Sequence, residues 1–220
     1  MRLARPLANG TVRQAAVVAG SGPDSKLLAA TVSASWVLSL TAYLTSMSQS
    51  PEPIRRFYAD WTQYRSRLVD GVRDLTADQL ALSGGPDQAP IWALAAHCAG
   101  GRTYWLCGVL GEPGAQTTPF PDPFSELGWE DDLDQPRSAS ELVVALETTG
   151  AIIDRCLDTW TDDMLEVEFE RRRGDVRQIH TRRSILLRLL SHDAFHSGEI
   201  SQLLGANGLP AIDLWVRGTT

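Results

Sequence analysis

From residue 50 onward, apolar residues recur at steps of three and four, the spacing that places them on one face of an α-helix. Four long stretches show this pattern. The first follows a Ser cap and an early proline at 50–53, which predicts a helix of about 22 residues. The second covers about 90–110, the third follows the capping box at 138–141, and the fourth covers about 181–204. Strand patterns are nearly absent, so the sequence predicts an all-α fold, a four-helix bundle.

Two connections between these helices are long. Residues 111–137 contain five prolines and an acidic run that includes Glu130, and no regular element fits them. A connection of this length predicts a crossover between helices 2 and 3 instead of a tight antiparallel turn. Residues 166–180 predict an irregular or hairpin-like link. The arginines in and after that link are interpreted as a solvated connection and helix start.

The first 46 residues differ in composition from the rest, because they contain no Glu and are rich in Ala, Ser, Thr, Val and Leu. Basic residues precede an apolar stretch at 27–45, as in a signal sequence or membrane anchor. Met47 lies three residues before the predicted cap Ser50. Our hypothesis is that 1–46 is an extension from an upstream start and that 47–220 forms the bundle domain. A membrane anchor or signal and a disordered tail are the alternatives.

Charge and cysteine content narrow the function classes. The net charge of −7 leaves no Lys/Arg surplus to neutralise phosphates, which argues against a nucleic-acid partner. Cys98, Cys107 and Cys156 form no CxxC pair, so the chain does not resemble a disulfide framework. Reduced thiols in a cytoplasmic protein fit better. We interpret Cys98, next to His97, as a small packing residue.

Three histidines occupy predicted helical positions where Leu or Ile is expected. His192 and His196 are four residues apart and therefore share one helix face. His97 lies on the inner stripe of the second helix. Buried imidazoles cost free energy unless their nitrogens find partners, and one shared cation would satisfy all three. The sequence predicts a divalent metal site at these histidines, with separate hydrogen bonds to carboxylates or hydroxyls as the alternative.

The sequence also predicts a role or a position for three further residues near this pattern. Glu199 shares the face of His192 and His196 and is the candidate catalytic residue. It is interpreted as a fourth ligand, a general base acting on water, or an acceptor for an imidazole N–H. The alternative is a boundary residue paired with an arginine. Asp193 points about 100° away, towards the surface or behind the ligands, and His180 is expected to be exposed in the link.

Two segments carry a resemblance to a known family. Residues 191–204 (SHDAFHSGEISQLL) resemble the C-terminal helix of DinB-like proteins, and 92–97 (WALAAH) with Tyr104 and Trp105 resemble their second helix. The resemblance implies a four-helix bundle, a homodimer and a three-histidine site for zinc or nickel. On this chain the ligands would be the same three histidines. It also implies thiol-dependent chemistry, because characterised relatives use mycothiol or bacillithiol as co-substrate.

A functional expectation follows. Three neutral ligands leave a divalent ion with an open position that can activate a thiol or water. We expect a metal-dependent thiol S-transferase, isomerase or hydrolase acting on a small electrophile. Tyr104 and Trp105 are expected to wall the pocket that binds the co-substrate, although a core position is the alternative for Trp105. The competing hypothesis is a non-catalytic, stress-related metal-binding dimer. No membrane partner is expected.

Overall fold

The computed structural model describes residues 52–125 and 127–213, which lie in one compact unit. The expectations for 1–46 and for the Ser50 cap fall outside these residues. Four long helices dominate the described part, so the all-α prediction is confirmed. In chain order the helices are α1 (Trp61–Arg73), α2 (Ala77–Leu80), α3 (Ile91–Thr103), α4 (Ala139–Thr159), α5 (Asp162–Leu165) and α6 (Arg182–Ala206).

The first helix begins later than the sequence indicates. A short 3-10 helix covers Ile54–Phe57, and α1 starts only at Trp61. The Ile54 N–H donates a hydrogen bond of 2.9 Å to the Trp160 carbonyl, and Pro53 forms an isolated bridge with Thr161. These contacts hold the chain against the end of α4 where the predicted helix would have continued. The prediction of one helix of about 22 residues was therefore wrong in its start.

Helix α3 follows Pro90 as predicted and then changes its winding. Beyond Thr103 the chain continues as a π-helix over Tyr104–Val109, a rare arrangement that frequently marks functional sites. α3 packs against both α4 and α6. A Cβ atom on Gly101 would lie 3.5 Å from Cε1 of His192, so the glycine lets α6 approach α3 closely at the level of the histidines.

The crossover between α3 and α4 is irregular, as predicted, apart from two 3-10 turns at Ala115–Thr117 and Trp129–Asp131. The second turn packs on α3, where the Phe120 and Trp129 rings lie 5.0 Å apart. The predicted capping box forms at the end of the crossover: Ser138 caps α4 and Glu141 accepts from the Ser138 N–H. The crossover therefore returns an acidic segment to α3.

The link before α6 is a β-hairpin, which is one of the two forms predicted for it. Strands β1 (Glu168–Arg173) and β2 (Val176–Thr181) pair antiparallel. Gly174 in the turn has φ +56°, a conformation that glycine adopts at little cost. Phe169 pairs with His180 in register. The interpretation of the arginine cluster as fully solvated was wrong for Arg171, which is half-buried on the inner face of the hairpin.

The burial of individual side chains agrees with some of the predictions and differs from others. Cys98 is fully buried among apolar residues, in agreement with its interpretation as a packing residue. Phe57 and Tyr64, which the spacing places on the buried stripe of the first helix, are exposed. Within residues 52–125 and 127–213, no helix combines the length and apolar character needed to cross a bilayer.

Candidate metal centre

The three predicted histidines meet at the junction of α3 and α6. His97 comes from α3, and His192 and His196 come from successive turns of α6. The centroid of the His97 ring lies 4.7 Å from that of His192 and 5.1 Å from that of His196, and the two α6 rings are 4.5 Å apart. One nitrogen from each ring lies within 4.8 Å of the other two. The rings therefore converge on one point in space.

These rings lie at the edge of the bundle and not in its interior. All three histidines are half-buried, and the side chain of His97 is 42% exposed while that of His196 is 15% exposed. The expectation that these imidazoles face the core is therefore met only in part. Gly100 and Gly101 of α3 line the cavity beside the rings. Exposure gives a ligand from solution access to the centre.

Two of the rings are held by carboxylates. Nδ1 of His97 lies 2.8 Å from Oε1 of Glu130, and Nδ1 of His196 lies 2.6 Å from Oε2 of Glu199. An ionised carboxylate only accepts hydrogen bonds, so each Nδ1 carries a hydrogen, and in the neutral ring Nε2 then keeps its lone pair. Histidines that ligate metals are held in this way by a carboxylate on the far nitrogen.

These contacts indicate which of the roles predicted for Glu199 fits the structure. The geometry supports the role in which Glu199 accepts a hydrogen bond from the His196 N–H. Sequence reasoning missed Glu130, which performs the same task for His97 from the 3-10 turn of the crossover. The acidic run around Glu130 was the only sequence signal, and helical spacing cannot tell where a loop returns.

His192 differs from the other two histidines because its ring has no hydrogen-bond partner among the described residues. Its Nδ1 is buried without a hydrogen bond, and neither of its ring nitrogens has a hydrogen-bond partner in the described part of the chain. Burial lowers the pKa of His192 to about 4, and the neighbouring histidines and Arg102 act in the same direction. The ring is therefore neutral at pH 7, which is the form that ligates a metal.

The His97–Glu130 pair has the opposite electrostatics. The hydrogen bond that His97 donates to Glu130 raises the pKa of His97 and outweighs the opposing effect of burial. For Glu130 itself burial favours the neutral acid, but the bond to His97 and the charge of that ring leave its pKa below the ordinary value. Glu130 is thus ionised at neutral pH and remains an acceptor for the His97 Nδ1–H.

The donor set fits a divalent transition metal. Three imidazole nitrogens, two with carboxylates behind them and one from a ring with no other partner, are the ligands that zinc and nickel accept. A second group, Cys98 with His192 and Asp193, also lies within 4.8 Å. Burial raises the pKa of the Cys98 thiol well above its usual range, and Asp193 is paired with Arg102, so this group is less suited to a metal than the three histidines.

Asp193 lies in the core, in contrast to one of its two expected positions. Its Oδ2 accepts from Nη2 of Arg102 at 2.9 Å and from Nε at 3.2 Å. The side chain of Arg102 is 1% exposed and also donates to the Leu146 carbonyl at 3.0 Å. This ion pair ties α3, α4 and α6 together beside His192. The surface expectation failed because the side of α6 next to the histidine face is also covered.

A cavity of about 240 Å³ opens beside the histidines. Its wall includes His97 and His192 from the centre and the predicted pocket residues Tyr104 and Trp105 from the π-helix. Trp105 also packs against the core, so it has both of the positions considered for it. A second, larger concavity reaches His196 and Glu199 from the other side. The centre is therefore accessible to small molecules.

His180 was expected to be exposed, and this was wrong. It is half-buried on the inner face of the hairpin, with its ring centroid 4.9 Å from that of Trp105. Its Nε2 is buried and has no hydrogen-bond partner among the described residues. Burial lowers the pKa of His180, and the charges of Arg188 and Arg171 lower it further. The hairpin register, which the sequence left open, is what turns this side chain inward.

The sequence and the fold of this chain are similar to those of known proteins. The profile of the DinB superfamily matches residues 60–200, a span that contains all three histidines. The crystal structure of a DinB-like protein from Bacillus cereus ATCC 10987 superimposes with a TM-score of 0.57 at 18% identity, over 76% of this chain and 100% of that one. At this identity the similarity shows the fold alone. No curated protein matches the sequence. The extent of the profile match shows that this chain belongs to the DinB superfamily.

Proposed function

We propose that the protein binds one divalent ion, zinc or nickel, through His97, His192 and His196 and is a metal-dependent enzyme. The observation that carries this proposal is the convergence of three half-buried imidazoles, two of them oriented by carboxylates. A bound ion would lower the pKa of a thiol or water at its open position and supply a nucleophile near neutral pH. The nucleophile would attack a small electrophile.

The protein's own residues have defined tasks in this proposal. Glu130 and Glu199 fix two rings in the tautomer that presents Nε2. The neutral His192 supplies a lone pair without first losing a proton. Tyr104 and Trp105 wall the adjacent cavity and exclude water from one side of a bound reactant. The co-substrate that best suits the family resemblance is a low-molecular-weight thiol such as mycothiol or bacillithiol.

We further propose that the protein acts as a homodimer in the cytoplasm without a nucleic-acid partner. Exposed apolar side chains on adjacent helices support the dimer, because such a patch is costly to leave in water. They are Tyr64 on α1 and Leu187, Leu190 and Phe195 on α6. Size-exclusion chromatography with light scattering tests this proposal, and a monomer at micromolar concentration would contradict it.

Thiol conjugation by metal-loaded protein tests the enzymatic proposal. Protein without a His-tag is loaded with zinc or nickel and given 1-chloro-2,4-dinitrobenzene with mycothiol, bacillithiol or a simple thiol. The thiol sulfur forms a C–S bond, chloride leaves and the thiol proton goes to solvent. We expect turnover that stops with chelator and returns when the metal is restored. Bound metal without turnover for any thiol, and without hydrolysis of ester substrates, would favour the non-catalytic alternative.

A further inference from the structure

The inner face of the hairpin carries a positive charge, that of Arg171, which has no carboxylate partner within residues 52–125 and 127–213. Nε of Arg171 donates to Oη of Tyr104 at 2.6 Å, and Nη1 donates to Oε1 of Gln178 at 2.7 Å. Both acceptors are uncharged. The guanidinium carbon also lies 5.1 Å from the Trp105 ring centroid. The charge of Arg171 is therefore positioned by neutral groups and aromatic rings, which leaves its attraction for an anion largely available.

A second guanidinium lies over the same tryptophan. Cζ of Arg188 is 4.6 Å from the Trp105 ring centroid, and within the described part of the chain Arg188 makes no hydrogen bond or ion pair. Arg188 precedes His192 by four residues on α6, so it lies one helical turn, about 6 Å, from that histidine along the axis. A second positive charge thus lies next to the histidine cluster.

Several neighbouring arginines of the same segment do have acidic partners. Arg172 and Arg177 pair with Glu170 at 3.0 and 2.7 Å, and Arg182 pairs with Glu112 at 3.1 Å. In a chain of net charge −7, carboxylates are plentiful. Arg173 also has no acidic partner among the described residues, but it is exposed next to the turn, whereas Arg171 and Arg188 both lie against the Trp105 ring.

The aromatic residues connect this positive region to the candidate centre. Tyr104 and Trp105 line the cavity that His97 and His192 also line. Three carboxylates on the described part of that wall accept hydrogen bonds: Glu130 from His97, Asp131 from the Gly128 N–H and Asp122 from the Phe124 N–H. Arg171 and Arg188 do not line the cavity themselves but contact Tyr104 and Trp105 of its wall, so an anionic group bound to them would lie beside the cavity.

We propose that Arg171 and Arg188 form an anion-binding subsite around Trp105 that takes a carboxylate of one of the two reactants. The guanidinium group suits this ligand, because its planar donors match the two carboxylate oxygens. The reactant would carry its carboxylate about one helical turn, roughly 6 Å, from the atom that reacts at the histidines. The inference rests on the proposed function, since it assigns a substrate class to the same cavity.

Ligand binding to cobalt-substituted protein tests the subsite without relying on activity. In the first arm, 3-mercaptopropionate and neutral 2-mercaptoethanol are titrated into the protein, and the thiolate-to-cobalt absorption is recorded. In the second arm, cinnamate and its neutral amide are titrated calorimetrically without thiol. We expect the carboxylate compound of at least one pair to bind about tenfold more tightly. The arm that shows this preference identifies which reactant carries the carboxylate.

Two variants and a matched control assign the effect to the guanidinium groups. Arg171→Gln and Arg188→Gln are each expected to remove most of the preference and to leave the affinity for the neutral compound unchanged. Arg172→Gln, an equal charge change on the outer face of the hairpin, is expected to retain the preference. Arg188 is exposed, so its variant carries the test even if Arg171→Gln fails to fold.

The outcomes separate this inference from the proposed function. Equal affinities for charged and neutral compounds in both arms would overturn the subsite. A preference that survives in both arginine variants would overturn it too, because it would then come from the carboxylate chelating the cobalt. Protein that shows no cobalt absorption at all would contradict the metal centre instead.

Discussion

At the scale of single residues, the candidate centre depends on pairs of histidine and carboxylate. A neutral imidazole can present either nitrogen, and the contact on Nδ1 decides which one remains for a ligand. Glu199 makes this contact from within α6, three residues after His196, and Glu130 makes it from the crossover. The negative charge of each carboxylate also makes Nε2 of its imidazole a stronger electron-pair donor to a metal ion.

Replacement of either carboxylate by its amide tests this arrangement. Glu130→Gln or Glu199→Gln keeps the size and one acceptor oxygen but removes the charge, so we expect the Kd for zinc to rise about 10-fold to 100-fold. The Kd is measured by competition with a coloured chelator. Glu147→Gln, an exposed acid paired with Arg73 on another face, is the control and should change nothing. Equal Kd values in all three variants would contradict the role of the pairs.

The same residues show what sequence spacing can and cannot predict. His192, His196 and Glu199 belong to one helix, whose geometry fixes their relative directions, so their common face was predictable. Glu130 follows a proline-rich loop without a repeating geometry, so its return to His97 was not. The Arg102–Asp193 ion pair also escaped prediction, because each residue alone has the polarity of a surface position.

At the scale of elements, α6 carries two of the histidines and Arg188, and its start is fixed by the hairpin. Thr181 ends β2 and caps α6, where its Oγ1 accepts from the Ser184 N–H at 3.2 Å. The Ser184 hydroxyl accepts in return from the Thr181 N–H at 2.9 Å. This reciprocal cap sets the residue at which the helical register begins, and hence the side to which the histidines point.

Removal of the cap gives a prediction for this element. Thr181→Ala leaves the Ser184 N–H without its acceptor, so we expect the free energy of unfolding to fall by about 1 kcal/mol. Urea denaturation followed by circular dichroism measures the change. Thr159→Ala, at the exposed last residue of α4, is the control because it removes a threonine without removing an N-terminal cap. A loss of the same size in both variants would show that the cap has no special role.

Element boundaries were predictable where a local signal decides them. The capping box at Ser138 and the break after α6 are such signals, and α4 and α6 start within a residue of the predicted positions. The start of α1 depends instead on a long-range backbone bond from Ile54 to Trp160. The π-helix at Tyr104–Val109 likewise has no signature in apolar spacing, because it shifts the helical phase by a single residue.

At the scale of the whole molecule, an ionic cluster joins the first helix to the fourth. Oδ2 of Asp154 lies 2.8 Å from Nη2 of Arg65, and its Oδ1 accepts from the Thr62 hydroxyl at 2.8 Å. Arg55, before α1, also bonds to Asp154. Burial alone would favour the neutral acid, but the bond from Arg65 and its charge leave the pKa of Asp154 below the ordinary value.

This lowered pKa predicts an acid-sensitive contribution to stability. A carboxyl group whose pKa is lower in the folded state stabilises the fold above its ordinary pKa of about 3.9, and the contribution disappears as the pH falls through the lowered value. We therefore expect Asp154→Asn to reduce the free energy of unfolding clearly at pH 7 and much less at pH 3. Asp87→Asn, at an exposed loop position, is the control. An equal deficit for Asp154→Asn at both pH values would contradict the prediction.

The metal content of the protein tests the central claim most directly. Protein without a His-tag is dialysed to equilibrium against zinc or nickel, and bound metal is measured by inductively coupled plasma mass spectrometry. We predict one ion per chain for the natural sequence and none for a variant with His97, His192 and His196 all replaced by Ala that keeps its helical circular dichroism. A natural chain that binds no ion, or a triple variant that binds as much, would contradict the account.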